Sequence, residues 1–122
     1  MKRILVVDDD KEFLSVFIKR LEYNKFEVIA AQDSCQALEQ IQHNKPDLVI
    51  LDLLIPAGGG ELVLDNMKKS KEMKDIPVIV LTGTRDDVRK TRILVKGVSG
   101  YFEKPYDNEV LINKINQVFG DK

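Results

Sequence analysis

Apolar runs of strand length alternate with segments whose apolar residues recur at helical spacing, and the alternation repeats five times. Ile4, Leu5, Val6 and Val7 form a short run rich in β-branched side chains, as expected of a strand buried on both faces. Leu14, Phe17, Ile18 and Leu21 then fall at i, i+3, i+4 and i+7, which is one face of a helix. Residues 26–31 predict a second strand. Asp33 or Ser34 is placed to cap a second helix that turns Ala37, Leu38 and Ile41 inward. Pro46 ends that segment, and residues 48–51 make a third strand that stops at Asp52. A loop containing Pro56 and the triplet Gly58-Gly59-Gly60 leads to a helix from about Glu61 to about Lys69. The fourth strand is expected over 76–81, with Pro77 tolerable near its start. A helix from about Asp86 to Lys96 stops at Gly97, and Tyr101 and Phe102 lie in a short fifth strand. The last helix begins near Asp107 and carries Leu111, Ile115, Val118 and Phe119 on one face.

Such alternation predicts an α/β fold, a parallel sheet covered by helices on both faces. Ligands in these sheets bind beyond the carboxyl ends of the strands. The polar residues that follow the apolar runs are Asp8 and Asp9 after the first, Asp52 after the third, Thr82 after the fourth and Lys104 after the fifth. Three carboxylates, one hydroxyl and one amine are therefore expected on one rim.

Composition narrows the setting. A length of 122 residues predicts one domain over 1–122, with no effector domain beside it. Lys and Arg number 19 against 20 Asp and Glu, a formal charge of -1, which argues against nucleic-acid binding by bulk charge. No apolar run approaches the roughly 20 residues of a membrane span, and the opening run is too short for a signal peptide. The single cysteine, Cys35, has no internal partner; it is expected as an inert, partly buried helix residue in a cytoplasmic protein.

Three clustered carboxylates resist ionisation unless a cation shares the site. Their hard oxygen donors favour Mg²⁺, which can neutralise charge on a phosphoryl group. Lys104 supplies a mobile positive charge, Thr82 a hydroxyl donor, and an aspartate can itself be the nucleophile. The set suits phosphoryl transfer to a carboxylate.

At these residues the chain resembles the receiver domain of two-component response regulators, most like the single-domain chemotaxis regulators. The matching segments are Ile-Leu-Val-Val-Asp-Asp-Asp at 4–10, Pro-Asp-Leu-Val-Ile-Leu-Asp at 46–52, Pro-Val-Ile-Val-Leu-Thr-Gly at 77–83 and Gly-Tyr-Phe-Glu-Lys-Pro-Tyr at 100–106. The resemblance implies a doubly wound (βα)5 sheet of flavodoxin-like order 2-1-3-4-5. It further implies that Asp52 accepts a phosphoryl group from the phosphohistidine of a histidine kinase or histidine phosphotransfer protein. Asp8, Asp9, Asp52 and the backbone carbonyl of Leu54 would hold Mg²⁺. Thr82 and Lys104 would bind the phosphoryl group, and Tyr101 matches an aromatic that changes rotamer on activation. The Lys104–Pro105 bond is expected to be cis. Such a domain acts as a switch, not a turnover enzyme. It alters the surface of its fourth helix, fifth strand and fifth helix for another protein, as a monomer or a phosphorylation-dependent dimer.

Two other classes compete. A Mg²⁺-dependent phosphohydrolase with an aspartyl nucleophile would often place a second acid at position 54, where this chain has leucine. A non-phosphorylated interaction module would not need the full set Asp8, Asp9, Asp52, Thr82 and Lys104. The chain departs from the common pattern at Ile55, where methionine is usual, and at the glycine triplet, which is expected to loosen the loop before the third helix. Leu54 and Thr84, two residues beyond Asp52 and Thr82, carry no group that readily orients an attacking water. Gly83 leaves the approach to the site open. Asp10 reads as a helix cap and His43 as a helix C-terminal residue compatible with the dipole. Tyr106 reads as packing or surface contact, residues 68–71 as a solvated helix end, and the five phenylalanines as core.

Overall fold

A computed structural model describes residues 1–120. The elements run β1 (Arg3–Val7), α1 (Lys11–Tyr23), β2 (Glu27–Ala31), α2 (Ser34–Asn44), β3 (Leu48–Leu51), α3 (Gly59–Lys69), β4 (Val78–Thr82), α4 (Asp87–Lys96), β5 (Gly100–Glu103) and α5 (Asn108–Val118). All strand pairs are parallel, and the order is β2-β1-β3-β4-β5, the doubly wound arrangement expected.

The period-2 geometry of the strands divides the core into two layers. Leu5 and Val7, Val49 and Leu51, Val78 and Val80 point to one face, under Ala37 and Ile41 of α2, Val63, Leu64 and Met67 of α3, and Ile93 of α4. Ile4 and Val6, Leu48 and Ile50, Ile79 and Leu81 point to the other, under Leu14, Phe17 and Leu21 of α1 and Leu111, Ile112 and Ile115 of α5. All five phenylalanines join this second layer, Phe17 and Phe26 buried and Phe13, Phe102 and Phe119 half-buried. Tyr106 packs edge-on against Phe13 and Phe17, with ring centroids 6.3 and 5.7 Å away, and its hydroxyl accepts from Arg20.

Side-chain caps start four helices: Asp10, Asp33, Asp86 and Asp107 accept backbone N–H bonds in α1, α2, α4 and α5. His43 donates from Nδ1 to the Glu39 carbonyl, 3.0 Å, in the last turn of α2. The expected helix end near Lys68 is solvated, with Ser70 as the C-cap of α3.

Three expectations are corrected. Thr82 is the last residue of β4, not the first beyond it, and Pro77 lies outside the strand, which begins at Val78. Cys35 is exposed. Ala37 and Ile41 define the buried face of α2, and a residue two positions before Ala37 lies about 200° around the helix from it. The glycine triplet has a steric role that the sequence reading did not include. Gly60 is buried, and a Cβ there would lie 2.3 Å from the Asp52 carbonyl oxygen and 2.8 Å from Leu53 Cα. Only glycine lets α3 start this close to the end of β3. Gly58, the N-cap of α3, has φ +112°, where a side chain is strained.

Candidate functional site

The sheet ladder continues one step beyond the strands, and the site residues take that step. Asp8 N–H donates to Ala31 O at 3.0 Å, Asp52 N–H to Val7 O at 3.0 Å, and Lys104 N–H to Thr82 O at 2.8 Å. The backbones of two carboxylates and the amine are thus fixed by the same register that pairs Val7 with Leu51 and Thr82 with Glu103.

Their side chains converge. Asp8, Asp9 and Asp52 each offer a carboxylate oxygen, and these oxygens lie within 4.8 Å of one another. Asp8 is 2% exposed, Asp52 6% and Thr82 0%, whereas Asp9 is open to solvent. Lys104 Nζ donates to Asp8 Oδ2 at 2.5 Å and to Asp52 Oδ2 at 3.3 Å, and lies 4.1 Å from the centre of the Phe13 ring. The Lys104–Pro105 peptide is cis. Thr82 Oγ1 donates to Asp52 Oδ1 at 2.7 Å, and the Leu54 N–H donates to the same oxygen at 3.0 Å. Asp8 Oδ1 accepts from the Asp10 N–H at 2.9 Å. Asp10 itself is occupied as the cap of α1, accepting from Glu12 and Phe13, as read from the sequence.

Burial raises the Asp8 carboxyl above its ordinary value, against the pull of the Lys104 hydrogen bond. Burial alone would depress Lys104, but Asp8 and Asp52 outweigh it and the ammonium is held above its usual range. One ammonium thus serves two buried carboxylates, and Asp9 meets no ammonium or guanidinium among the described ion pairs. An all-oxygen cluster with uncompensated negative charge fits a small hard divalent cation such as Mg²⁺.

Around this centre the remaining expected residues take their places. Leu54 is 49% exposed at the rim. A Cβ at Gly83 would meet nothing within 4 Å, so the approach on that side is open. Tyr101 is half-buried, its hydroxyl is buried without a hydrogen-bond partner, and Lys90 Nζ sits 5.2 Å from its ring centre. Burial raises the Tyr101 hydroxyl, with Glu103 adding to the rise and Arg89 opposing it.

Three features escaped the sequence reading. Ser34, considered only as a cap, is fully buried and donates from Oγ to the Gly59 carbonyl at 2.7 Å, tying α2 to the start of α3. Glu61 and Asp65 on α3 face Arg92 and Lys96 on α4. Arg92 grips Glu61 through two bonds of 2.7 and 2.8 Å, and Lys96 reaches Asp65 at 2.5 Å and Glu61 at 3.4 Å. The Arg92 hydrogen bond is the main reason that Glu61 is pulled down to about 2. The matching i, i+4 spacing of both pairs was the available signal. Arg89 lines a groove beside the acidic cluster, and nothing in the sequence set it apart from the other basic residues of α4.

The sequence pattern of the response regulator receiver domain matches residues 4–116. The Escherichia coli phosphate regulon transcriptional regulatory protein PhoB is 32% identical over 117 residues, 96% of this chain and 51% of PhoB. The chain spans about half the length of the curated relatives it matches. Among solved structures, a putative response regulator from Chloroflexus aurantiacus aligns with a TM-score of 0.90 at 27% identity, covering 98% of both chains. The non-phosphorylated HemR receiver domain from Leptospira biflexa aligns with a TM-score of 0.88 at 28% identity, covering 100% of this chain and 97% of that one.

Proposed function

The chain belongs to the response regulator receiver domain family, and from that premise we propose that it is a phosphorelay receiver whose acceptor is Asp52. The observation that carries the assignment is one contact set. Asp52 belongs to the carboxylate cluster, is joined to Asp8 through Lys104, and accepts the Thr82 hydroxyl hydrogen bond at 2.7 Å.

Phosphoryl transfer from a phosphohistidine forms a bond between phosphorus and an Asp52 oxygen. It breaks the bond to the imidazole nitrogen, which keeps the electron pair. Asp8, Asp9, Asp52 and the Leu54 carbonyl would hold Mg²⁺. When bound, the ion offsets charge on the phosphoryl oxygens. Lys104 already spans Asp8 and Asp52, so its ammonium can move to a phosphoryl oxygen without leaving the site. Thr82 donates to Asp52 and is placed to donate instead to the phosphoryl group once Asp52 is modified. That inward turn would free space for the Tyr101 ring, whose hydroxyl now lacks a partner. A buried unpaired hydroxyl costs about 1–3 kcal/mol, which supports a second position for this side chain. The α4-β5-α5 surface would then change for a downstream protein, so the domain acts as a switch that catalyses only its own modification. A histidine kinase or histidine phosphotransfer protein is the proposed donor and the cytoplasm the proposed setting; no described helix is long and apolar enough to cross a membrane.

Intact mass spectrometry after incubation with Mg²⁺ and acetyl phosphate tests the assignment. One added phosphoryl group is expected in the wild type and none in Asp52→Asn. A gain that survives in the variant would remove Asp52 from its role.

A further inference from the structure

A groove of about 290 Å³ runs from the acidic cluster across the rim, lined by Asp9, Leu54, Ile55, Pro56, Gly58 and Arg89 among others. It lies beside the acceptor, because Asp9 belongs to the carboxylate cluster and the Leu54 N–H is bonded to Asp52. One wall is apolar, from Leu54, Ile55 and Pro56. From α4 the groove is lined by Arg89.

Arg89 is set apart from the nearby cations, of which Lys90 lies over the Tyr101 ring. Arg92 and Lys96 are tied to Glu61 and Asp65, Arg85 is tied to Glu103, and Lys104 is committed to Asp8 and Asp52. Arg89 takes part in none of the ion pairs among the described residues, although Asp9 and Glu61 line the same groove. It is half-buried, and its charge reaches the Tyr101 hydroxyl, which also senses Asp52. An unengaged guanidinium therefore stands at the mouth of a site whose other groups are mostly anionic. An incoming phosphodonor is itself an anion and must pass that acidic rim. The volume lies at the low end of the range of about 300–1,000 Å³ for small-molecule sites. That volume suits a small ring or acyl group with its phosphoryl.

We propose that Arg89 is a donor-binding residue. Its guanidinium receives the phosphoryl oxygens of the incoming donor, while the leaving group, an imidazole or a small acyl, lies against Leu54 and Pro56. Transfer then forms the phosphorus–oxygen bond to Asp52 and breaks the bond to the leaving group, which departs with the electron pair, an acyl group as its carboxylate. This inference rests on Asp52 being the acceptor.

The test is the concentration dependence of phosphorylation with two donors, acetyl phosphate and the less negatively charged phosphoramidate, in wild type, Arg89→Gln, Arg89→Lys and Asp52→Asn. With acetyl phosphate at low salt, Arg89→Gln should lower the second-order rate constant about fivefold, the size of one charge pair at about 4 Å in water. The loss should appear as weaker donor saturation, be smaller with phosphoramidate, and leave the lifetime of the phosphorylated form unchanged. Arg89→Lys should restore most of the rate. In about 1 M salt, where charges are screened beyond about 3 Å, the difference should largely vanish. Equal rates for wild type and Arg89→Gln would overturn the proposal. So would a loss that neither lysine restores nor salt removes, because that pattern marks a structural role. Modification persisting in Asp52→Asn would overturn the acceptor assignment and this inference with it; its absence there, with no effect at Arg89, would overturn the inference alone.

Discussion

Gly60→Ala is the sharpest perturbation of the link between fold and site. In an ordinary helix the change would stabilise by about 1 kcal/mol, the difference in helix propensity. Here the new Cβ would lie 2.3 Å from Asp52 O, 2.8 Å from Leu53 Cα and 3.0 Å from Asp52 C. All are backbone atoms, so no side chain can swing away. Asp52 N–H is bonded to Val7 and Gly60 N–H to Leu53 O at 3.0 Å, so relief must come from moving α3 or the end of β3. Overpacking of this kind costs about 1–3 kcal/mol. The contact is tight enough to place it at the upper end, for a net loss of about 1–2 kcal/mol after the propensity gain. In urea unfolding with a slope of about 1.5 kcal/mol/M, the midpoint should fall by about 1 M with the slope unchanged. Phosphorylation should slow as well, because the carbonyl that is pushed belongs to Asp52, the proposed acceptor. Gly83→Ala is the control. Its Cβ enters open space, and the midpoint should stay within about 0.5 kcal/mol of wild type. A Gly60→Ala protein as stable as wild type would refute the steric reasoning.

Other expectations follow from the same geometry. Glu61 has its folded pKa lowered from 4.5 to about 2, so its contribution is present above the unfolded value and is lost as pH falls from about 4.5 towards 2; the urea midpoint of wild type should exceed that of Glu61→Gln at pH 7, and the gap should close across that acid window. Mg²⁺ should stabilise the wild type by about 2.7 kcal/mol at a hundredfold excess over Kd, and Asp9→Asn should lose most of that thermal shift; a full shift in the variant would exclude Asp9 as a ligand. Leu54, 49% exposed beside the proposed acceptor, should screen the acyl phosphate from water; Leu54→Asn should shorten its half-life several-fold, and an equal or longer half-life in the variant would contradict this.

Much of this fold was legible because the strands announce themselves. Runs such as residues 4–7 and 48–51 are apolar at every position, which only a strand covered on both faces requires, and the caps Asp10, Asp33 and Asp107 mark where the helices begin. The positions of Asp8, Asp52 and Lys104 follow from strand ends, and so they could be placed on one rim without coordinates. What was not legible depends on how helices rotate and approach. The steric need for Gly60 is set by how closely α3 meets β3, a distance that no local pattern encodes. The setting of Arg89 depends on the rotation of α4, whose only buried side chain is Ile93, so its hydrophobic pattern is too weak to orient the other residues. The exposure of Cys35 is legible from the spacing of Ala37 and Ile41, which puts the first turn's second residue on the outer face of α2.

The same contrast between clamped and loosely held parts bears on how a signal would leave the site. Asp8, Asp52 and Lys104 are fixed through the backbone by ladder bonds to Ala31, Val7 and Thr82, so added charge at Asp52 is poorly absorbed by moving them. Strain must pass to groups that are not clamped. Two lie close by: the Thr82 hydroxyl, free to exchange acceptors, and Tyr101, whose hydroxyl has no partner to lose. Beyond them, α1, α2, α3 and α5 each bury three side chains, whereas α4 buries one and is held to α3 by solvent-accessible ion pairs. Surface pairs of this type contribute little and weaken with salt. Displacing α4 therefore gives up the least burial of any helix, and a two-state change driven from Asp52 should be concentrated there. That places the responsive surface on the element that also carries Arg89, so donor entry and signal output would share one helix.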